Sequence, residues 1–131
     1  LTAAETGHLL LGTLHTSSAA KTIDRISHVF SAGEQGMVRA RLSESLQGVV
    51  AQRLLKKKGG GRCAAYEILV GTGAIRNLIR EAKVPQIYGM LQTGREHGMT
   101  TMDQSLLELI QRNVIDAETA RPFAVDPSKF N

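Results

Sequence analysis

Tryptophan is absent from this 131-residue chain, and aromatic residues together make up only 4% of it. So few rings exclude a platform on which single-stranded bases could stack. Cysteine occurs once, at Cys63, which excludes an internal disulfide and fits a reducing compartment. No apolar run approaches the ~20 residues that a membrane-spanning helix needs, and no signal peptide is visible. The glycines build no phosphate loop. Gly59-Gly60-Gly61 is followed by Arg62, whereas a P-loop needs two glycines at fixed spacing, then Lys and Ser/Thr at the start of a helix. No His, Cys, Asp or Glu set has the spacing of a metal site, and no Ser-His-Asp arrangement has positional support.

What is present suffices for one ordinary domain. Hydrophobic residues make up 42% of the chain, so it is globular rather than disordered. The formal charge is +4. That permits an acidic partner, but the basic residues are scattered apart from Lys56-Lys57-Lys58, which argues against nucleic acid. The chain opens on Leu1 inside a helix-like pattern, so it is expected to be a piece of a longer protein.

Read in order, Leu1 to Gly7 has the pattern of a helix end, and His8 to Thr16 that of a strand buried on both faces of a parallel sheet. A helix is the alternative there, disfavoured by Gly12. Ser17 or Ser18 caps a helix whose inner side is Ala19, Ala20, Ile23, Ile26, Ser27 and Phe30. Ser31 to Glu34 is a capping box opening a longer helix, with Val38, Leu42, Ser45, Leu46 and Val49 inside. Gln52–Lys56 and Arg62–Val70 form a hairpin around the three glycines. Thr72 caps a helix from Ala74 to Lys83 with Ile75, Leu78, Ile79 and Ala82 on one face. Ile87, Met90 and Leu91 mark a short helix, Thr101 to Gln104 is a second capping box, Asn113 ends the helix that follows, and Asp116 caps another. Pro122 to Asn131 reads as a loosely held tail. The fold class is therefore α/β, with strands and helices in residues 1–70 and only helices in 71–131.

Two places could carry chemistry. His15 stands where a parallel strand would end, among Thr13, Thr16, Ser17 and Ser18 and just before a helix N-terminus, a combination that suits a phosphate. A hydrogen-bonded strand-end histidine is the alternative. His8 and His15 are separated by an odd number of residues, so on one strand they cannot form a two-histidine metal pair. Second, the helix after Gly71 shows Arg76, Asn77, Arg80 and Glu81 on its polar face, as a docking or actuating surface or as a solvated face. Glu5 and Glu67 are acidic residues near strand-like runs, but a lone carboxylate points to nothing by itself.

The chain resembles the secretion ATPases. Gly7-His8 followed by Thr13-Leu14-His15-Thr16 is similar to their histidine box, and Ala74-Ile75-Arg76-Asn77-Leu78-Ile79-Arg80-Glu81 matches without a mismatch the signature of the PilT type, which retracts type IV pili. Leu42 to Gln47, Val50 to Leu54 and Gly98 to Asp103 add further matches, so the resemblance runs over essentially the whole chain. It implies the C-terminal part of a RecA-like P-loop ATPase core (residues 1–70) followed by a helical C-terminal subdomain (residues 71–131). It implies a cytoplasmic homo-hexamer, peripheral to the inner membrane through the pilus machine, that uses ATP and Mg²⁺ and acts on a platform protein. It gives His15 the role of γ-phosphate sensor, with His8 as the other box histidine and Thr16 as a weaker nucleotide contact. The phosphate loop, aspartate box and metal-binding acidic motif of the family precede the histidine box, so the chain alone is expected neither to bind nucleotide tightly nor to hydrolyse it. Gly73 departs from relatives that carry proline at the first helical position. A stand-alone, non-enzymatic interaction module of the same machinery is the competing reading.

Overall fold

The computed structural model describes residues 1–131. Seven α-helices and one hairpin follow in the order α1 (Thr2–Glu5), α2 (Ala19–His28), α3 (Gln35–Ser45), β1 (Gly48–Lys56), β2 (Arg62–Val70), α4 (Gly73–Arg80), α5 (Ile87–Thr93), α6 (Met102–Gln111) and α7 (Ala117–Ala120). Short 3₁₀ turns at Val84–Gln86, Arg95–His97, Arg121–Phe123 and Pro127–Phe130 link or follow the helices.

The hairpin is the centre of the packing. β1 and β2 pair antiparallel in unbroken register, from Gly48 opposite Val70 to Lys56 opposite Arg62. One apolar cluster joins Ala19 and Ile23 of α2, Leu42 of α3 and Leu69 of β2 to Ile75, Ile79, Val84, Ile87, Leu91 and Met99. A second joins Leu55 and Ala65 of the hairpin to Met102, Leu106, Leu109, Ile115, Ala120 and Phe130. Both clusters draw residues from before and after Gly71. α1 is pinned to α3 by Arg41, whose Nε and Nη2 donate to the two carboxylate oxygens of Glu5 at 2.8 and 2.7 Å. That pairing holds the Glu5 carboxyl below its ordinary range.

Local signals in the chain are realised as read. Ser18 Oγ accepts from Lys21 N–H, Thr72 Oγ1 from Ile75 N–H, and Asp116 Oδ1 from Thr119 N–H. Thr101 and Gln104 complete both halves of their capping box. At Ser31 the Glu34 carboxylate does reach back to the Ser31 N–H, but the helix begins later, at Gln35.

Four expectations are corrected. His8 to Thr16 forms no strand, and Leu9 and Leu11 are 85% and 88% exposed. A buried parallel strand needs a neighbour on each side, and the only sheet is the β1–β2 pair. No backbone group of residues 9–16 enters a backbone–backbone hydrogen bond. The helix after Ser31 stops at Ser45, because Leu46 turns extended and Gly48-Val49-Val50 continue as strand; Val49 therefore lies on β1. Phe30 lies beyond the end of α2 and is exposed. The tail from Pro122 is held rather than loose. The buried Asp103 carboxylate accepts the N–H groups of Val125 and Asp126 at 2.7 and 3.0 Å, Arg121 donates twice to the Phe130 carbonyl, and Phe130 is 1% exposed.

Ala82 also departs from its expected place on the apolar face. It is exposed with φ of 58° and closes α4 in a Schellman turn, with Lys83 N–H bonding Leu78 O and Ala82 N–H bonding Ile79 O. The helix therefore ends at Arg80, earlier than Lys83. Asn113 makes the same left-handed closure at the end of α6.

Candidate functional site

The exposed segment 8–16 delivers His15 and Thr16 to the mouth of α2. Thr16 Oγ1 lies 2.5 Å from Thr22 Oγ1, and Thr22 Oγ1 donates back to Ser18 O at 2.9 Å, so a hydroxyl chain fixes the loop against the first turn of the helix. Beyond it, Lys21, Arg25 and His28 recur at helical spacing along α2 and face Gln52 and Arg53 of β1. These side chains and His15 line an open cleft of about 850 Å³, in which Asp24 is the one carboxylate. Three permanent cations and two histidines against one acid make the cleft positive, suited to an anion of phosphate character.

The sequence finds part of this arrangement. His15 and Thr16 are in the cleft; His8 is not. Its Nδ1 sits 3.2 Å from Thr6 Oγ1 and from Ala3 O, beside α1. The α2 N-terminus is not free to hold an anion as expected, because the Glu67 carboxylate is already there: Oε1 accepts Ala19 N–H at 3.0 Å. Lys21, Arg25, His28, Gln52 and Arg53 were not foreseen. The signal for Lys21, Arg25 and His28 lies in the sequence, as an i, i+4, i+7 stripe soon after His15, whereas Gln52 and Arg53 are brought there by β1.

A second cleft of about 500 Å³ adjoins the first and shares Ser17, Lys21 and Arg53 with it. Arg53 stands over the Phe123 ring, 5.6 Å from its centroid, so the docked tail steadies one cation of the anion site. Tyr88 lines this second space; burial pushes its phenol above the ordinary value, the charge of Asp103 adds to that, and a hydrogen bond with Thr101 opposes it. No cluster of three or more His, Cys, Asp and Glu side chains could hold a metal ion.

α4 stands apart from both clefts. Ile75 and Ile79 are fully buried and Leu78 is partly so. Ala74, Asn77, Arg80 and Glu81 are exposed, Arg80 Nη1 donating to Asn77 Oδ1 at 2.9 Å. Arg76 breaks the expected division into an anchoring face and an outward face. Its Nε donates to Gly71 O at 2.8 Å, and its Nη1 to Ser43 O at 2.8 Å and Glu44 O at 2.5 Å. Those last two carbonyls lie in the final turn of α3, where a helix leaves acceptors unpaired and its dipole favours a cation. Arg76 is therefore a clamp between α3 and α4. Arg76→Ala is expected to cost about 2–3 kcal/mol of stability, the worth of charge-assisted hydrogen bonds. Arg80→Ala should stay within ~0.5 kcal/mol. Urea denaturation of the two single variants checks the split.

Comparison with known proteins fits this architecture. Residues 1–121 match the family model described as type II/IV secretion system protein. The chain belongs to that family. Within it the chain is of the PilT type: it is 60% identical, over 99% of its length, to the type IV pilus retraction ATPase PilT of Pseudomonas aeruginosa. It is also 60% identical, over 92% of its length, to a twitching motility protein of Neisseria gonorrhoeae. It spans only 38% and 33% of the lengths of those two relatives. A solved structure of the pilus retraction motor PilT with bound ADP superposes with a TM-score of 0.87 at 48% identity, over 98% of this chain and 36% of that one. The ATPase DotB of Legionella pneumophila shares the fold at a TM-score of 0.77 and 23% identity, over 92% of this chain and 33% of that one. The ATPase fold class read from the sequence is thereby borne out.

Proposed function

We propose that this chain is the C-terminal segment of a hexameric motor ATPase that retracts type IV pili, with residues 1–70 completing its ATPase core and residues 71–131 forming its helical subdomain. The likeness to PilT supports the motor reading. The observation that carries the site is the meeting of His15 with Lys21, Arg25 and Arg53 in one cleft whose lining holds a single acid. His15 reads the terminal phosphate there, Thr16 offers a hydroxyl, and the three cations hold the negative charge in place. His8 belongs to the same histidine box but acts from outside the cleft, through the fold of α1. The residues present fit a phosphate; they do not form a full triphosphate cradle or a magnesium site, which belong to other parts of the full-length motor. ATP hydrolysis with Mg²⁺ supplies the free energy. The exposed residues of the Ala74–Glu81 signature, chiefly Asn77, Arg80 and Glu81, present the outcome to neighbouring parts of the machine, with the inner-membrane platform protein as the acceptor of the work. The motor operates on the cytoplasmic side, peripheral to that membrane.

In the full-length protein, His15→Ala should depress ATP turnover roughly 10²-fold, the usual loss when one charge-stabilising donor is removed. The hexamer measured by sedimentation should be unchanged. Equal loss of turnover and assembly would make His15 a structural residue and sink the sensor role. The purified 131-residue chain should show no turnover of its own; steady hydrolysis free of contaminating ATPase would overturn the division of labour.

A further inference from the structure

The hairpin tip is used by nothing described so far. Residues 56–62, Lys56-Lys57-Lys58-Gly59-Gly60-Gly61-Arg62, are all exposed and include neither an acid nor an apolar side chain. The tip is nevertheless ordered. Gly59, Gly60 and Gly61 all have positive φ, Lys57 N–H bonds Gly61 O at 3.0 Å, and Gly60 N–H bonds Lys57 O at 3.3 Å. Lys58 ties it to the end of α6, with its N–H on Val114 O at 2.9 Å and its Nζ on Asn113 Oδ1 at 2.5 Å. That contact brings the end of α6, and with it the exposed Arg112, alongside the tip. The ion pairs of the chain are Arg41–Glu5, Lys83–Glu81 and His97–Glu96, so neither the four tip cations nor Arg112 is in one. Asp116 is the carboxylate that feels Lys58, and it is already engaged in capping α7. The backbone N–H groups of Gly59 and Gly61 have no acceptor within the chain.

We infer that this tip is a contact point for an anionic lipid surface. The hot spots that hold protein interfaces are aromatic residues and arginines packed into desolvated pockets; the tip has no aromatic or apolar side chain, and its one arginine, Arg62, stands exposed. A bilayer with anionic headgroups asks only for several cations at one level, which a fixed turn supplies. Three adjacent glycines remove the side chains that would keep the backbone away from a flat surface and leave two N–H donors for phosphate oxygens. The inference is independent of the motor reading, because it uses no residue of the cleft or of α4.

The test is co-sedimentation of the 131-residue chain with vesicles of phosphatidylglycerol and phosphatidylcholine, against phosphatidylcholine alone. The neutral vesicles account for any binding by the exposed leucines of residues 9–14. The chain should partition onto the anionic vesicles only. The triple variant Lys56→Gln, Lys57→Gln, Arg62→Gln removes side chains with no hydrogen bond in the fold, and should lose about 10²-fold in partitioning, near fivefold per cation. A second triple variant, Lys83→Gln, Arg95→Gln, Lys129→Gln, removes the same charge elsewhere and should lose no more than a few-fold. Matching thermal melts of the two variants exclude a folding defect. Equal loss in both, no binding by the unaltered chain, or displacement from the vesicles by duplex DNA at stoichiometric amounts would each overturn the inference.

Discussion

Glu67→Ala is expected to lower the stability of the chain by about 2–5 kcal/mol, the cost of leaving two buried donors without acceptors. Glu67 is 2% exposed and has no cationic partner. Its carboxylate instead accepts the first N–H of α2, from Ala19 at 3.0 Å, and the first N–H of α6, from Met102 at 3.2 Å. Those groups are among the four donors that every helix leaves unpaired at its start, and both helix dipoles present their positive ends there. One acid thus completes two helices that lie far apart in sequence. Glu67→Gln keeps the shape but turns an NH₂ towards one of the two donors, so it should fall between alanine and the native residue. Urea denaturation measures all three. A Glu67→Ala chain within ~0.5 kcal/mol of the native would mean that water satisfies these donors and that the carboxylate is dispensable.

The second large effect is expected at Gly71. A Cβ placed there would overlap the Leu46 carbonyl oxygen and stand 3.3 Å from both Gln47 O and Arg76 Nη2. The obstacle is backbone, which cannot rotate aside. The same residue donates its N–H to Gln47 O at 2.9 Å and accepts Arg76 Nε at 2.8 Å, so displacement also disturbs the clamp between α3 and α4. Gly71→Ala should therefore cost about 2–3 kcal/mol, within the range of overpacked sites. Gly73→Ala is the internal control. Nothing lies within 4 Å of its Cβ position, and it begins a helix, so alanine there should be neutral or stabilising. The thermal melt of Gly71→Ala should fall while that of Gly73→Ala stays level or rises; equal falls would show that crowding at Leu46 is not what requires glycine.

How much of this was legible in the sequence depends on distance along the chain. The caps at Ser18, Thr72, Thr101 and Asp116 and the closure at Asn113 use partners three or four residues away, and all were readable. The hairpin was readable because turn and alternation are adjacent. His8 to Thr16 was not, since whether an apolar run becomes a strand depends on neighbours elsewhere, and this chain offers none. The tail looked loose because its holder, Asp103, is more than twenty residues upstream. Arg76 shows the same limit at the candidate site. A helical wheel gives the direction of a side chain, not what stands in that direction, and here the end of α3 stands there. At the cleft, chain position singled out His15 and Thr16, while Gln52 and Arg53 arrive from a strand whose placement only the fold determines.

The left-handed Ala82 has an evolutionary consequence. Holding an L-residue with a Cβ in that conformation costs about 1 kcal/mol relative to glycine, and every alanine codon becomes a glycine codon by one nucleotide change. The chain therefore keeps a stability reserve one mutation away, at an exposed position outside both clefts. A lineage that altered the cleft at some loss of stability could recover that loss there without touching the chemistry.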